Sequence, residues 1–290
     1  MALDSAKLRS SIEAIQDLPT LPTVVAAITS QIGNPSTNAA DIGKLIEQDQ
    51  ALTSKVLRLV NSAYYGFPKQ IKSIQHAVVI LGFSKVKTII LTASVFRAFN
   101  GRKSVGLDLR RFWQHSLGAA LAAKVAAEQI GMPHAGEDAF IGGLLHDIGK
   151  VVMDQYQSQI YGPIIQYARD KGILLREAEE EVMGFNHAKI GEWIIEKWRL
   201  PQTIVNMVGY HHNPSISVER RELNGCVHLG DILARSLGIG SGGDDRMPLI
   251  DPVVASNHGL DAKFFDLALT KLIHEATKAT DFFSIISSDS

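Results

Sequence analysis

A single cysteine, Cys226, among 290 residues leaves no internal disulfide and no thiolate-rich zinc site to build. A reducing compartment is compatible with that, and the cytoplasm is the expected location. Long apolar runs are missing as well. No stretch approaches the roughly 18 uncharged apolar residues of a spanning helix, and the N-terminus MALDSAKLRSSIEAIQDLP has scattered charge and no apolar signal region. Neither secretion nor membrane insertion is signalled. Charge of one sign is equally scarce: 29 Lys+Arg against 30 Asp+Glu leave a formal −1, which withholds the basic footprint of a chain that grips nucleic acid nonspecifically through phosphates. P-loop and serine-nucleophile elbow are absent, as are internal repeats and low-complexity tracts.

What is present is a globular composition, 46% hydrophobic and 20% charged, enough for a large core in one extended domain or two. The apolar residues recur mostly at helical spacing, so the expected fold class is all-α, a helical bundle. Helices are expected at Asp4–Gln16, Pro22–Gly33, Ala39–Glu47 with Asn38 or Thr37 as its cap, Gln50–Asn61, Ile74–Leu81 and Ser84–Phe99. Asn100-Gly101-Arg102-Lys103-Ser104 interrupts the periodicity and marks a junction. Beyond it the pattern gives helices at Leu109–Ile130, Ala139–Tyr156, Ile160–Lys171, Leu175–Met183, Ala188–Trp198, Gln202–His212 and Glu222–Leu237. The run Gly238 to Asp245 reads as a flexible loop. A terminal helix near Asp261–Lys278 would dock through Phe264, Phe265, Leu267, Leu269 and Leu272, ahead of a frayed end. The expected divisions are 1–103, 104–240 and 241–290. Tyr64, Tyr65 and Phe67 fit either core packing or an interface, with core the better reading.

Chemistry concentrates in the second half. His115, His146, Asp147, His187, His211, His212 and Asp231 are all of metal-ligand type, and each sits on or beside an expected helix whose other positions are largely apolar. Burying an unpaired imidazole or carboxylate is costly, so these groups should find one another or a cation. The helix of His115 carries a small face, Ala119, Ala122, Ala123 and Ala126, that suits close approach by a neighbour. Adjacent helical residues diverge by about 100°, which lets His146 and Asp147 address two sides of one centre, where Asp147 could bridge two ions. Lys150, one turn on, could pair with Asp147 or meet an anionic ligand. His228 precedes Asp231 by three residues and is a candidate to support a ligand from behind. Taken singly, each residue is more ordinarily a satisfied core or surface group; the joint pattern is what points to a metal.

Leu144-Leu145-His146-Asp147-Ile148-Gly149-Lys150 resembles the signature of HD-superfamily metal-dependent phosphohydrolases. The order His115, His146-Asp147, His187, His211-His212, Asp231 is similar to that of HD-GYP phosphodiesterases. The first half is narrower still. Leu18-Pro19-Thr20-Leu21-Pro22, Ile46-Glu47-Gln48-Asp49-Gln50-Ala51-Leu52, Val56 to Tyr65 and Ile74 to Gly82 resemble the HDOD family, the HD-related output domains of bacterial signalling, and the likeness spans roughly residues 15–235. It implies an all-helical regulatory module, with an N-terminal helical half packed on an HD-like half, acting through signalling proteins in trans. At each position of the HD-GYP ligand order named above, this chain carries a residue of ligand type. One or two divalent ions are therefore expected, iron or manganese first and zinc, magnesium or nickel behind them, since the donors are nitrogen and oxygen. Asn213-Pro214-Ser215-Ile216 stands where cyclic-di-GMP phosphodiesterases carry Gly-Tyr-Pro, which weakens that substrate. The expected function is an output module with a metal pocket. The alternatives are a phosphohydrolase using Asp147 and Lys150, and a sensor holding a nucleotide or phosphate at the metal.

Overall fold

The computed structural model describes residues 38–99, 102–217 and 221–288, with single positions 9, 10, 18, 21, 25, 27, 28 and 219. The expected helices Asp4–Gln16 and Pro22–Gly33, the start of the junction at 100–101 and the last two residues lie, apart from those single positions, outside the described residues. Among the described residues every regular element is helical, which establishes the all-α class.

The chain forms two compact units. The first comprises Met1–Leu18, Gly101–Lys197 and Pro201–Leu272; the second comprises Pro19–Asn100, Trp198–Leu200 and Ile273–Ser290. In the second unit the caps begin the helices where short polar side chains predict them. Asn38 opens α1 (Ala39–Glu47) with a capping box, accepting from Ala40 N and Asp41 N while Asp41 accepts from Asn38 N. Asp49 accepts from Leu52 N to open α2 (Gln50–Val60), and Ser73 accepts from His76 N to open α3 (Ile74–Leu81). Ile46, Leu52, Val56, Leu59 and Ile74 of these helices are buried, as are most residues of α4 (Phe83–Phe99). Tyr64 and Tyr65 are half-buried and pack with the buried ring of Phe282 within their own unit, centroids 5.7 and 6.4 Å away.

The first unit is built on α5 (Leu109–Gln129), which carries His115 and the alanine face. That face lets helices close in. A Cβ at Gly143 of α6 (Gly136–Leu145) would lie 2.6 Å from Ala119 O, and one at Gly230 of α12 (Arg221–Ser236) the same distance from the same oxygen. Only glycine permits that contact. The single expected helix Ala139–Tyr156 is in fact two, α6 and α7 (Ile148–Tyr156), with His146-Asp147 between them. Asp147 has φ −98° and ψ 9°, outside helical geometry, and the break sets its carboxylate apart from the helix surface. There follow α8 (Ser158–Lys171), α9 (Leu175–Met183), α10 (His187–Lys197) and α11 (Gln202–Tyr210).

Three further readings need correction. A short helix the periodicity did not reveal, α13 (Pro252–His258), is capped by Asp251 through Val253 N and Val254 N. The terminal helix α14 (Ala262–Ser287) runs past Lys278, and its buried stripe is Ala268, Leu272, Ala279, Phe282 and Ile286. Phe264, Phe265 and Leu269 are half-buried, and Leu267 is 51% exposed, so the docking face is rotated from the one expected. Segment 238–246 is tied down rather than free: Ser241 N donates to Arg111 O at 3.0 Å, and Asp244 pairs with Arg235 at 2.8 Å.

Candidate metal centre

Six of the seven residues singled out by sequence are buried, between 0 and 3% exposed, and the seventh, His212, is half-buried. All seven converge within the first unit. Three overlapping groups bring one donor atom from each member within 4.8 Å of the others: His187, His211 and His212; His115, His146 and Asp231; and His146, Asp147 and His211. Asp147 stands between the first two. Its Oδ1 is 3.0 Å from His187 Nε2 and 3.8 Å from His211 Nε2, while its Oδ2 is 3.3 Å from His146 Nε2 and 3.8 Å from His115 Nε2. Asp231 Oδ1 lies 3.0 Å from His115 Nε2 and 3.8 Å from His146 Nε2. The break between α6 and α7 makes this possible, because it presents His146 and Asp147 from a junction rather than from adjacent positions of one helix.

Backbone and carboxylate acceptors fix the rings from behind. His146 Nδ1 is 2.7 Å from Gly143 O, and His211 Nδ1 is 2.7 Å from Val208 O. His187 Nδ1 is 2.6 Å from Glu179 Oε2, and the His187 backbone N–H donates to the same oxygen at 2.8 Å. An Nδ1–H that donates outward leaves the Nε2 lone pair facing inward, the tautomer a metal requires. Tyr161 donates in turn to the other oxygen of Glu179; burial and that carboxylate push the phenol well above its ordinary pKa, so it stays a donor. His228 supports His211 differently, through Nδ1 to His211 O at 2.8 Å, while its Nε2 accepts from Asp251 N.

The electrostatics favour ligand forms at His115, His211, His212, Asp147 and Asp231, and oppose one at His187. Burial, reinforced by neighbouring imidazoles, lowers His211 and His212 well below the ordinary histidine pKa and keeps them neutral. Burial also lowers His115, against the opposing pull of Asp231. For His187 burial is outweighed by Glu179 and Asp147, which raise it. Asp147 and Asp231 are ionised despite burial: His146, Lys150 and His187 hold the first well below the carboxylate range, and Arg235 with His115 holds the second there.

The residues fit a divalent ion. Among buried atoms left without a hydrogen-bond partner are His115 Nε2, His146 Nε2, His211 Nε2 and Asp147 Oδ1, all at the centre, and orphaned buried polar atoms are costly unless something coordinates them. The shortest donor pairs, 2.9 Å between His187 and His212 Nε2 and 3.0 Å for both His187–Asp147 and His115–Asp231, approach the roughly 3 Å edge of an octahedron with bonds of about 2.1 Å.

Sequence reasoning missed several residues. Arg235 Nε donates to Asp231 Oδ1 at 2.7 Å, one helical turn on, a spacing that could have been noticed. Glu179 hid in the acidic run Glu177 to Glu181, which reads as a solvated face. Gly242 O accepts from Lys150 Nζ at 2.8 Å, and Lys150 also donates to Asp147 Oδ2 at 2.8 Å as its spacing suggested. Pairing across 92 residues left no local signal.

Known proteins share this arrangement's frame. An uncharacterized protein of Treponema pallidum (strain Nichols) is 28% identical over 235 residues, 80% of this chain but 45% of its own length, so the chain spans about half of that relative. Among solved structures, an HDOD domain protein with unknown function from Geobacter sulfurreducens superposes with TM-score 0.75 at 24% identity, over 98% of this chain and 96% of its own. A candidate signal transduction protein of Marinobacter aquaeolei VT8 gives 0.79 at 21% identity, over 98% and 65%. A candidate phosphohydrolase of Shewanella amazonensis SB2B gives 0.70 at 22%, over 95% and 96%. Those likenesses are of fold. The HDOD domain itself matches residues 18–214, well over half of the sequence, and the chain belongs to the HDOD domain family.

Proposed function

We propose that the chain is an output module of bacterial signalling, working through protein partners in trans and holding a divalent ion in the His/Asp centre. The proposed ligands are drawn from His115, His146, Asp147, His187, His211, His212 and Asp231. Iron or manganese suits nitrogen and oxygen donors without thiolate, with zinc, magnesium and nickel behind them. The observation that carries this reading is the covering of the centre. Six of its seven donor residues are buried, Lys150 is 1% exposed, and the backbone of Gly242 is held against that lysine. An ion so enclosed suits holding a scaffold together better than turning over an incoming ester. The Asn213-Pro214 sequence after His212, in place of Gly-Tyr-Pro, supports the same view, as does the description of the Marinobacter aquaeolei neighbour.

The test is elemental analysis of protein purified without added metal, repeated on His146→Ala and Asp147→Ala, with a phosphoester screen of the metal-replete chain. The expected result is bound metal in the parent, its loss in both variants, and no turnover. Robust metal-dependent hydrolysis would overturn the reading.

One observation favours a second reading, a metal-dependent phosphohydrolase acting on a nucleotide or cyclic dinucleotide: the two oxygens of Asp147 are directed at two donor groups. Bound metal would there polarise a phosphoryl oxygen and lower the pKa of a water. Asp147 would hold the centre together, and the Lys150 ammonium would offset charge on the phosphate. The Shewanella amazonensis neighbour is described in such terms. A nucleotide or phosphate held without cleavage would instead raise apparent stability with no product formed.

A further inference from the structure

The two donor groups around Asp147 differ in what already occupies their oxygens. Toward His187 and His211, Asp147 Oδ1 faces imidazoles alone, His187 Nε2 at 3.0 Å and His211 Nε2 at 3.8 Å. Toward His115 and His146, every facing carboxylate oxygen carries a buried cation. Asp147 Oδ2 accepts from Lys150 Nζ at 2.8 Å, and Asp231 Oδ1, the oxygen 3.0 Å from His115, accepts from Arg235 Nε at 2.7 Å. Neither cation is free to swing away. Lys150 is held a second time by Gly242 O, and the Arg235 side chain, 9% exposed, also binds Asp244 Oδ1 at 2.8 Å and Arg246 O at 3.0 Å. Asp244 is itself tied to Leu175 N. Burial opposes the Arg235 charge, yet Asp231 and Asp244 raise its pKa and fix it as a cation.

The Gly242 backbone stands close against these donors, beside a cavity of about 170 Å³ that His115 and Arg235 line together with the 238–247 segment. A Cβ at Gly242 would stand 3.2 Å from Asp147 Oδ2, 3.3 Å from His115 Nε2 and 2.8 Å from an Arg235 nitrogen. The glycine thus allows the 238–246 segment to lie directly on this donor group. The other group has a different exposure: His212 is half-buried, and the half-buried Arg176 reaches it electrostatically, lowering its basicity after burial and the two neighbouring imidazoles.

We propose that His187, His211 and His212 with Asp147 Oδ1 form the one tight divalent-ion site, and that Lys150 and Arg235 take by charge the place a second ion would have beside His115, His146 and Asp231. This rests on the metal reading above and deepens it. An ion in the second group would need bonds of about 2 Å to the oxygens that already hold buried cations, and repulsion in a poorly screened interior would offset what the carboxylates offer. His115 and His146 then stand with Nε2 beside Asp231 and Asp147, 3.0 and 3.3 Å from their oxygens, rather than serving as ligands of a resident ion.

The experiment titrates the full chain, stripped by chelation, with Mn(II) under anaerobic conditions, and reads stoichiometry by calorimetry and elemental analysis. One ion per chain is expected, with any second binding about a hundredfold weaker or worse. His187→Ala and His212→Ala should lose the tight ion, His115→Ala should keep it, and Arg235→Gln should admit a second. Electron paramagnetic resonance of the unmutated protein at one equivalent needs no variant; it should give the spectrum of an isolated Mn(II). Two ions of comparable affinity, an exchange-coupled pair, or loss of the tight ion from folded His115→Ala would overturn the assignment while leaving a metal-holding module intact. A folded chain that takes no ion at all would overturn both.

Discussion

Both units bury an apolar core, and they differ in what else they bury. In the second, the buried polar residues among those described are Ser62, Thr88, Thr92 and Ser94, and the first three donate to carbonyls of their own chain three or four residues back. In the first, histidines, aspartates, Lys150 and Glu179 are buried together. A hydroxyl that bonds the preceding turn is satisfied wherever its helix goes. A buried network is satisfied only when all its members are in place, and it is costly when one is missing. Burial of charge alone does not demand an ion, as Asp154 makes plain: it accepts from Ser104 Oγ, Val105 N and Gly106 N and needs nothing more. The orphaned His211 Nε2 and Asp147 Oδ1 of the centre are a different case. The second unit should therefore answer to volume, the first to charge and metal.

Removing Asp147 is the severest way to break that distinction. Asp147→Ala strands the Lys150 ammonium in the interior, a loss of ~3–5 kcal/mol, and deprives the centre of the carboxylate shared by both donor groups. Denaturation followed by hydrogen exchange should locate the loss in α6, α7 and α10, with metal content falling alongside. A variant that unfolds where the parent does and keeps its ion would contradict it. Leu59→Ala supplies the counterpart. Leu59 is wholly buried, so its truncation should destabilise the second unit by ~2–5 kcal/mol through lost transfer energy and a cavity. Metal per folded chain should not change; a proportional loss of metal would erase the contrast.

Stripping the ion comes next in size. A ligand that binds only the native state at a thousandfold excess over its Kd stabilises by about 4 kcal/mol, so chelation should speed amide exchange in the first unit and leave α1 to α4 as they were. Acid should act on the same unit. His211 and His212 have folded pKa values below the ordinary 6.5, so an unfolded chain takes up protons that the folded one refuses. Their contribution is present above 6.5 and is lost as pH falls below it. Asp147 and Asp231, also depressed, extend the loss to lower pH, while the raised His187 works in the opposite sense. Thermal midpoints followed separately in the two units between pH 7 and pH 5 should diverge; parallel curves would deny the difference.

Much of this was legible in the sequence, unevenly. The bounds of α1, α3 and α9 are those periodicity predicts: Asn38 and Ser73 cap the first two, and Gly184 ends the third in a left-handed conformation. The seven ligand-type residues were visible because apolar helices carried polar groups with no local partner. The break after Leu145 was not visible, since neither glycine nor proline marks it and tertiary contacts make it; His146 turns its Nδ1 back to Gly143 O. Asp251-Pro252 did carry a helix-start signal for α13, a capping acid followed by proline at the first position. The anchoring of 238–246 was illegible for another reason. Glycines written for flexibility and glycines written for close approach look alike until the neighbour is known, and Gly242 needs Asp147 and His115 beside it to be read correctly.

The smallest effect gives the most local reading. Cys226 lies buried in α12, five residues before Asp231, and burial together with Glu222 pushes its thiol up to about 12. Without thiolate it has no nucleophile to offer at neutral pH, so iodoacetamide should label the native chain only as fast as the first unit opens. Chelation should therefore raise the labelling rate while circular dichroism hardly moves. Leu59→Ala, whose lesion is in the other unit, should raise it far less for an equal or larger loss of stability. If both treatments accelerate labelling in proportion to the stability they remove, the two units open together, and the apolar and the polar interior are parts of one cooperative transition.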